Sequence, residues 1–383
     1  DFRAKEIREN FDRWSNARED WDVAAREDID FYLGNHFSEE EADELASRNQ
    51  SAVPMDRLYS AIEQFKAIIT SKPPKFSAVG REDSDSKLSN VWRVILEYVW
   101  DISDGDEQFK QAVHDYTVTG LGYFLAYIDK ETDYGRGEVK FKHLNPFKVY
   151  VDPNSRDRYF EDSSGIMVSN IMSKMQLLDV YPQLSEPIED GSEKLLIDQI
   201  ETVSEEDWPS NSNARTMASF TPDVVKDYDY QGSSEKYRLI EHYSKVKVPY
   251  YRLLDKKTNQ EKIVPEEQFR AMERDEQFLN SIKRGLIDFV EVQQTRIRQT
   301  GCLGQVVLYD SILDTDIYPI VPVPNIWTNT PYPMSDVRKN KDFQRFLNKV
   351  VSLITSHAQA SSGLKLLIPQ GSVQDIEELE RDW

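Results

Sequence analysis

The sequence predicts a mixed α+β chain of more than one domain, and three observations carry that reading. The first third is dominated by apolar residues at helical spacing. The middle alternates short strands with turns. The stretch from Pro265 to Gln359 reads as a helix, a strand-rich excursion and a second helix. At 383 residues the chain is long enough for two or three compact units and needs no disulfide to build a core.

The elements follow in order. Phe2, Ile7, Phe11, Trp14, Trp21, Ala24, Ala25 and Ile29 recur at near-helical spacing, which predicts a long amphipathic helix from Phe2 to Leu33, closed near Gly34. Ser38 with Glu41 three residues on forms a capping box for an acidic helix to Ala46. Asp56 to Thr70 is a third helix, stopped by Lys72-Pro-Pro-Lys75, and Lys87 to Ile102 a fourth, rich in Trp92, Leu96, Val99 and Trp100. Glu107 to Thr119 is a fifth, broken at Gly120-Leu-Gly122.

Tyr123 to Ile128 then reads as a buried strand, Glu138 to His143 as its antiparallel partner, and Asn145 to Pro153 as a strand between two Asx-Pro turns. Ile171 to Val180 reads as a short helix. Pro182 to Ser234 is the most acidic and least periodic part, a surface insertion. Lys236 to Val248 and Tyr250 to Leu254 are two strands leading to Pro265, the first position of a helix running to Arg284 with Gly285 behind it.

Asp288 to Arg298 and Gln305 to Tyr309 are strands joined by a turn at Thr300-Gly-Cys-Leu-Gly304. Alternating prolines in Tyr318-Pro-Ile-Val-Pro-Val-Pro324 place that piece on a sheet edge or at a subunit contact. Ser335 is an N-cap for the last long helix, on which Phe343, Phe346, Leu347, Val350, Val351 and Ile354 share one arc and Arg338, Lys341, Arg345 and Lys349 the opposite one. Leu364 to Pro369 reads as a strand, and Ser372 to Asp382 starts a helix with no closing partner, as in a fragment of something longer.

The net charge is −21, from 68 acidic and 47 basic residues spread along the chain. A field of that sign repels phosphate, which excludes tight sequence-independent nucleic-acid binding unless a local basic patch overrides it. The arc of Arg338, Lys341, Arg345 and Lys349 is such a patch. It can be a solvated face, a partner for acidic residues on a neighbouring subunit, or a contact to nucleic-acid phosphate. No aromatic residues interleave it, which disfavours single-strand recognition.

Cys302 stands alone, which excludes an internal disulfide framework and fits a reducing compartment. No secretory pattern opens the chain and no apolar run approaches the ~20 residues of a membrane span, so it reads as soluble and intracellular at synthesis. His36, His114, His143, His242 and His357 lack a second ligand at metal spacing, and each reads as structural. Asp152-Pro-Asn-Ser-Arg-Asp157 has Asp157 where a calcium loop needs glycine and reads as a turn. Gly120-Leu-Gly122 lacks the third glycine of a dinucleotide loop, and no phosphate-cradling or nucleophile-elbow motif occurs. Neither a catalytic set nor a cofactor is expected.

In their order and spacing, Phe31-Tyr-Leu-Gly-Asn35, Gly120-Leu-Gly-Tyr123 with Asn145-Pro-Phe-Lys-Val-Tyr-Val-Asp-Pro153, Tyr318-Pro-Ile-Val-Pro-Val323, and Ser335-Asp-Val-Arg338 leading into Asp342-Phe-Gln-Arg-Phe-Leu-Asn348 resemble the portal proteins of tailed bacteriophages, of the short-tailed type. The resemblance implies a virion protein: a homododecameric ring at one capsid vertex through which double-stranded DNA is packaged and ejected. Its partners would be the major capsid protein, the terminase large subunit, the head-tail adaptor or tail proteins and passing DNA, with no membrane.

It implies a wing at 1–263, stem helices at 264–284 and 335–358, a β-containing clip at 285–334, and the start of a tunnel-loop region at 359–383, the crown and any barrel lying beyond Trp383. Arg338, Lys341, Arg345 and Lys349 would face DNA or a neighbouring subunit. Arg296, Arg298, Tyr318, Ile320, Val321 and Val323 would form the clip contact. A metal-dependent nuclease and a monomeric adaptor are the competing classes.

Overall fold

The computed structural model describes residues 2–48, 52–72, 74–80, 86–187, 193–195, 236–255, 260–274, 278, 280, 282 and 286–362. Within them α1 (Phe2–Tyr32) buries Ala4, Ile7, Phe11, Trp14, Arg18, Trp21, Ala25, Asp28 and Phe31, the spacing of a single helical face. Two members of that stripe are charged. The Arg18 guanidinium is met by main-chain carbonyls, Val149 O at 2.6 Å and Phe147 O at 2.9 Å, and by Asp22. Asp28 is met by the last helix, described below.

The expected capping box closes on α2 (Glu39–Ser47): Ser38 Oγ accepts from the Glu41 amide and Glu41 accepts from the Ser38 amide. Next come α3 (Leu58–Thr70), α4 (Ser86–Ile102) and α5 (Gly105–Val118), within a few residues of the sequence reading at their ends. The break after α5 is made by two glycines. Gly120 has φ of +89°, and a Cβ there would lie 2.7 Å from the Met334 main chain; one on Gly122 would lie 2.6 Å from Ala112 O.

The described sheets are antiparallel throughout. In the first, β1 (Leu121–Asp129) pairs with β2 (Glu138–Leu144) on one side and with β11 (Ile320–Pro324) on the other. β11 is therefore an edge strand, as its prolines require. The second sheet runs in the order β10 (Val306–Leu313), β9 (Ile287–Leu303), β7 (Lys236–Asp255), β4 (Gly165–Ser173) and β3 (Val149–Val151), with β8 (Gln260–Pro265) also on β7. β5 (Ser185–Pro187) and β6 (Glu193–Leu195) form a small separate pair.

Several segments differ from the sequence reading. The stretch read as a helix from Ile171 belongs to β4 as far as Ser173, and the helix α6 (Lys174–Val180) begins only after a second capping box, Ser173 with Gln176. β7 is one strand rather than two. Pro249 does not break it, because the proline lies between the end of the β4 pairing at Ser244 and the start of the β8 pairing at Tyr250, where only β9 runs alongside.

The helix expected over Pro265 to Arg284 is α7 (Glu266–Glu273), with Pro265 at its N-cap, capped at Arg274. Phe278, Asn280 and Ile282 are helical as well. The strand read from Asp288 extends as β9 to Leu303. Most of the acidic 182–234 stretch and the elements read after Gly363 lie outside the described residues.

α1 joins these layers. Its N-terminal half lies on the larger sheet, packing Ile7, Phe11 and Trp14 against Met167, Ile240 and Cys302. Trp21 and Ala25 sit in the main core with Tyr123, Val151, Phe160, Ile166, Ile297 and Ile320. Phe31 and Tyr32 pack with Leu58 and Ile62 of α3, Val118 of α5 and Val337 of α8 (Asp336–Ser362).

His242 of β7 lies under α1, its ring edge-on to Trp14 at 6.2 Å. Burial and the nearby Arg3 charge push its pKa from an ordinary 6.5 down to about 4. The unfolded chain therefore protonates before the folded one. The stability that the neutral His242 contributes is complete above pH 6.5 and is lost as pH falls toward 4. A His242→Gln variant should show a smaller drop in Tm between pH 7 and pH 4.5 than the parent; identical drops in a thermal-melt series would contradict this assignment.

A candidate assembly and DNA-facing surface on the last helix

α8 is amphipathic, and it packs the opposite way from an ordinary surface helix. Its buried residues are Val337, Lys341, Gln344, Asn348 and Ser352, a stripe of i, i+3, i+4 spacing with one apolar member. Its large apolar side chains face outward: Phe343 is 71% exposed, Phe346 64% and Ile354 63%.

Three sets of interactions fix that rotation. At the N-terminus, Ser335 caps the helix, its Oγ accepting from the Arg338 amide at 2.9 Å, while its hydroxyl donates to Asp28 Oδ2 at 2.9 Å. Asp28 is fully buried and also accepts from Arg338 Nε at 3.0 Å and Lys341 Nζ at 3.3 Å. One turn on, Lys341 Nζ and Arg345 Nη2 both reach Glu27 Oε1 at 2.9 Å, and both cations lie over the Phe31 ring.

Burial pushes the Asp28 carboxyl above its ordinary range against the pull of Arg338, Ser335 and Lys341. Burial also acts to raise Glu27, but Lys341 and Arg345 outweigh it and hold that carboxyl below its usual value. Arg338 Nη2 is left buried with no hydrogen-bond partner.

Further along, the polar stripe supplies partners to a segment with no ladder of its own. Gln344 Oε1 accepts from the Arg57 and Leu58 amides, so α8 caps α3 from outside, and Gln344 Nε2 donates to Met55 O at 2.7 Å. Asn348 Oδ1 accepts from the Met55 amide at 3.1 Å, and its Nδ2 contacts His36 Nδ1 at 3.0 Å. An amide nitrogen only donates, so His36 accepts there and is neutral, in keeping with the downward pull of burial on its pKa. Apolar side chains at 344 and 348 would leave those main-chain donors unpaired.

A family model supplies the context. The model for phage P22-like portal proteins matches residues 8–383. The chain belongs to that family. No curated protein matches it. Portal proteins are structural components of the phage capsid vertex, assembled as rings and associated with capsid and DNA. The chain's mixed architecture of helices and small antiparallel sheets is consistent with a portal fold.

The expected site residues of this portal chain fall into separate places. Arg338, Lys341 and Arg345 meet Glu27 and Asp28 of α1 in the same chain, and Lys341 is buried, so the arc is not a uniformly solvated face. Lys349 is exposed. Among the clip residues, Arg296 is bonded to the Tyr250 hydroxyl and to Asp314, and Arg298 to Asp310. Tyr318 and Ile320 are buried in the chain's own core, with the Tyr318 hydroxyl donating to Ser163 O, whereas Val321 is exposed and Val323 half-buried.

The histidines lie apart. His114 is beside Lys66, His143 beside Asp115 and His357 exposed on α8. Asp152 accepts from the Asn154 amide, the turn expected there. Among the described residues no three of His, Cys, Asp and Glu are grouped to hold a metal, and no described helix is long and apolar enough to cross a membrane. The sequence reading missed the Asp28 cluster and the Gln344, Asn348 and Ser352 stripe. The available signal was three uncharged hydrogen-bonding residues at i, i+4 and i+8.

Asp28→Ala would leave Arg338 and Lys341 without their buried carboxylate and should cost about 3–5 kcal/mol in urea unfolding of the unassembled chain. Lys349→Ala, on the exposed side of the same helix, should change stability by less than about 0.5 kcal/mol. Equal, small effects at both positions would show that the cluster does not set the helix.

Proposed function

We propose that the chain is the subunit of a closed ring, of twelve copies by family precedent, forming a channel at one capsid vertex for packaging and ejection of double-stranded DNA. The terminase motor and later the tail adaptor dock on it. The observation that carries this reading is the outward apolar face of α8 in a chain whose match to a phage portal family runs over residues 8–383. A long helix with Phe343, Phe346 and Ile354 in water is costly in an isolated molecule and is relieved by burial between subunits.

The ring does no bond chemistry. At −21 per subunit, its summed field repels the phosphate backbone and keeps DNA mobile in the bore. Contacts to DNA then come from isolated cations and are weak and salt-sensitive. Within the basic arc, Lys349 and the outer edge of Arg345 are available for such contacts, because Arg338 and Lys341 are committed to Asp28. Val321 is the member of the clip set best placed to touch a docking partner.

Negative-stain microscopy and light scattering of the purified full-length protein should show hollow rings whose mass is a whole multiple of the subunit. In particles assembled with Arg345→Gln and Lys349→Gln together, rings should form normally while less DNA is retained at raised salt. A monodisperse monomer at high concentration would overturn the ring. Unchanged DNA retention would remove these two residues from the DNA contact.

A further inference from the structure

A second apolar surface stands apart from α8. Every side chain from Val91 to Tyr98 of α4 is exposed, among them Val91, Trp92, Val94, Ile95 and Leu96. The helix is fixed to the body at its C-terminal end. Trp100 packs on Phe76, Phe109 and Phe141 with ring centroids 5.3 to 6.3 Å apart, and its indole N–H donates to Asp106 at 3.0 Å. The Tyr98 hydroxyl reaches Glu138 at 2.8 Å. Arg93, paired with Glu97 and Asn90, marks one polar face, and the broad apolar remainder is stable when it is covered.

Elsewhere on the chain, α3 and α8 enclose an open groove of about 390 Å³. Leu58, Ala61, Ile62, Phe65 and Phe343 line it, with Arg57 and Asn340 among its polar residues. We infer that α4 of one subunit seats in the α3/α8 groove of the next, so that this pair of surfaces is a subunit contact of the ring proposed above, on which the inference rests.

Charge selects a second copy as the occupant. Two like chains at −21 repel over most of their surface. In sequence, α3 balances Glu63 with Lys66, and α4 balances Lys87 and Arg93 with Glu97 and Asp101. On α8, with Arg338, Lys341 and Arg345 paired to Glu27 and Asp28 of α1, Lys339 and Lys349 balance Asp336 and Asp342. All the excess negative charge therefore lies on other parts of the chain, and two copies approach with least repulsion through these three helices.

The area is of the right order as well. Seven half-exposed side chains of α4, from Leu88 to Tyr98, present on the order of 600 Å² of apolar surface, most of the roughly 800 Å² per partner that a stable interface covers. Because α4 packs on α5 and β2 while the groove lies between α3 and α8, the two surfaces are different patches. Such a contact is heterologous and closes into a ring by rotation.

The test is a Trp92→Cys, Phe343→Cys double variant of the full-length protein, assembled into rings and oxidised or treated with a short bismaleimide. The native Cys302 is buried with its thiol pushed up to about 11 by that burial, and it stays silent. The expected result is a ladder of covalent dimers, trimers and higher species on a denaturing gel, with no ladder from either single variant. Intact rings without a ladder would overturn this contact and leave the ring standing. Loss of both thiols without a change in mass would overturn it in favour of the chain's own residues filling the groove. Dimers from a single variant would overturn it in favour of like-on-like pairing. A double variant and a parent that both remain monomeric would overturn the ring itself, and this contact with it.

Discussion

A carboxylate with no access to water has to be met by cations or by hydrogen-bond donors, and Asp28 is met by both from one side of one helix. That requirement turns the basic side of α8 inward. Gln344, Asn348 and Ser352 continue the same side and satisfy the main chain of 53–58, so nothing along the helix favours rotating back. The apolar side is then left facing away from its own chain. The surface that a second copy can cover is thus set by a buried charge rather than by the apolar residues themselves.

The position of Asp28 is in turn set by α1. The same helical face that anchors on the larger sheet through Phe11 and Trp14, and on the main core through Trp21, arrives at Asp28 two turns later. Gly120 brings the turn between α5 and β1 within reach of the Met334 and Ser335 main chain, which fixes where α8 begins. The Asn325 side chain ties the two together by donating to Tyr116 O at 3.0 Å and Asp336 Oδ2 at 2.8 Å. The orientation of the last helix thus depends on packing along the whole length of the first.

Much of this was legible in sequence where a local rule governs. The Ser38 and Glu41 capping box, the Ser335 N-cap and the edge position of the Pro322 and Pro324 strand each follow from a residue's own hydrogen-bonding capacity. β4 was not legible. Gly165-Ile-Met-Val-Ser-Asn-Ile-Met172 has no alternation because its first half is buried on both faces, so periodicity cannot separate it from a helix. The two arcs of α8 were legible, but not which of them turns inward. That depended on Asp28, more than 300 residues earlier, in a helix whose other buried positions are mostly apolar.

The central claim is that α8 holds its apolar side outward until another subunit covers it. Hydroxyl-radical footprinting of the unassembled chain and of the assembled ring measures this directly. The account predicts that Phe343 and Phe346 react readily in the free chain and are protected in the ring. Protection of both residues in the free chain would contradict it.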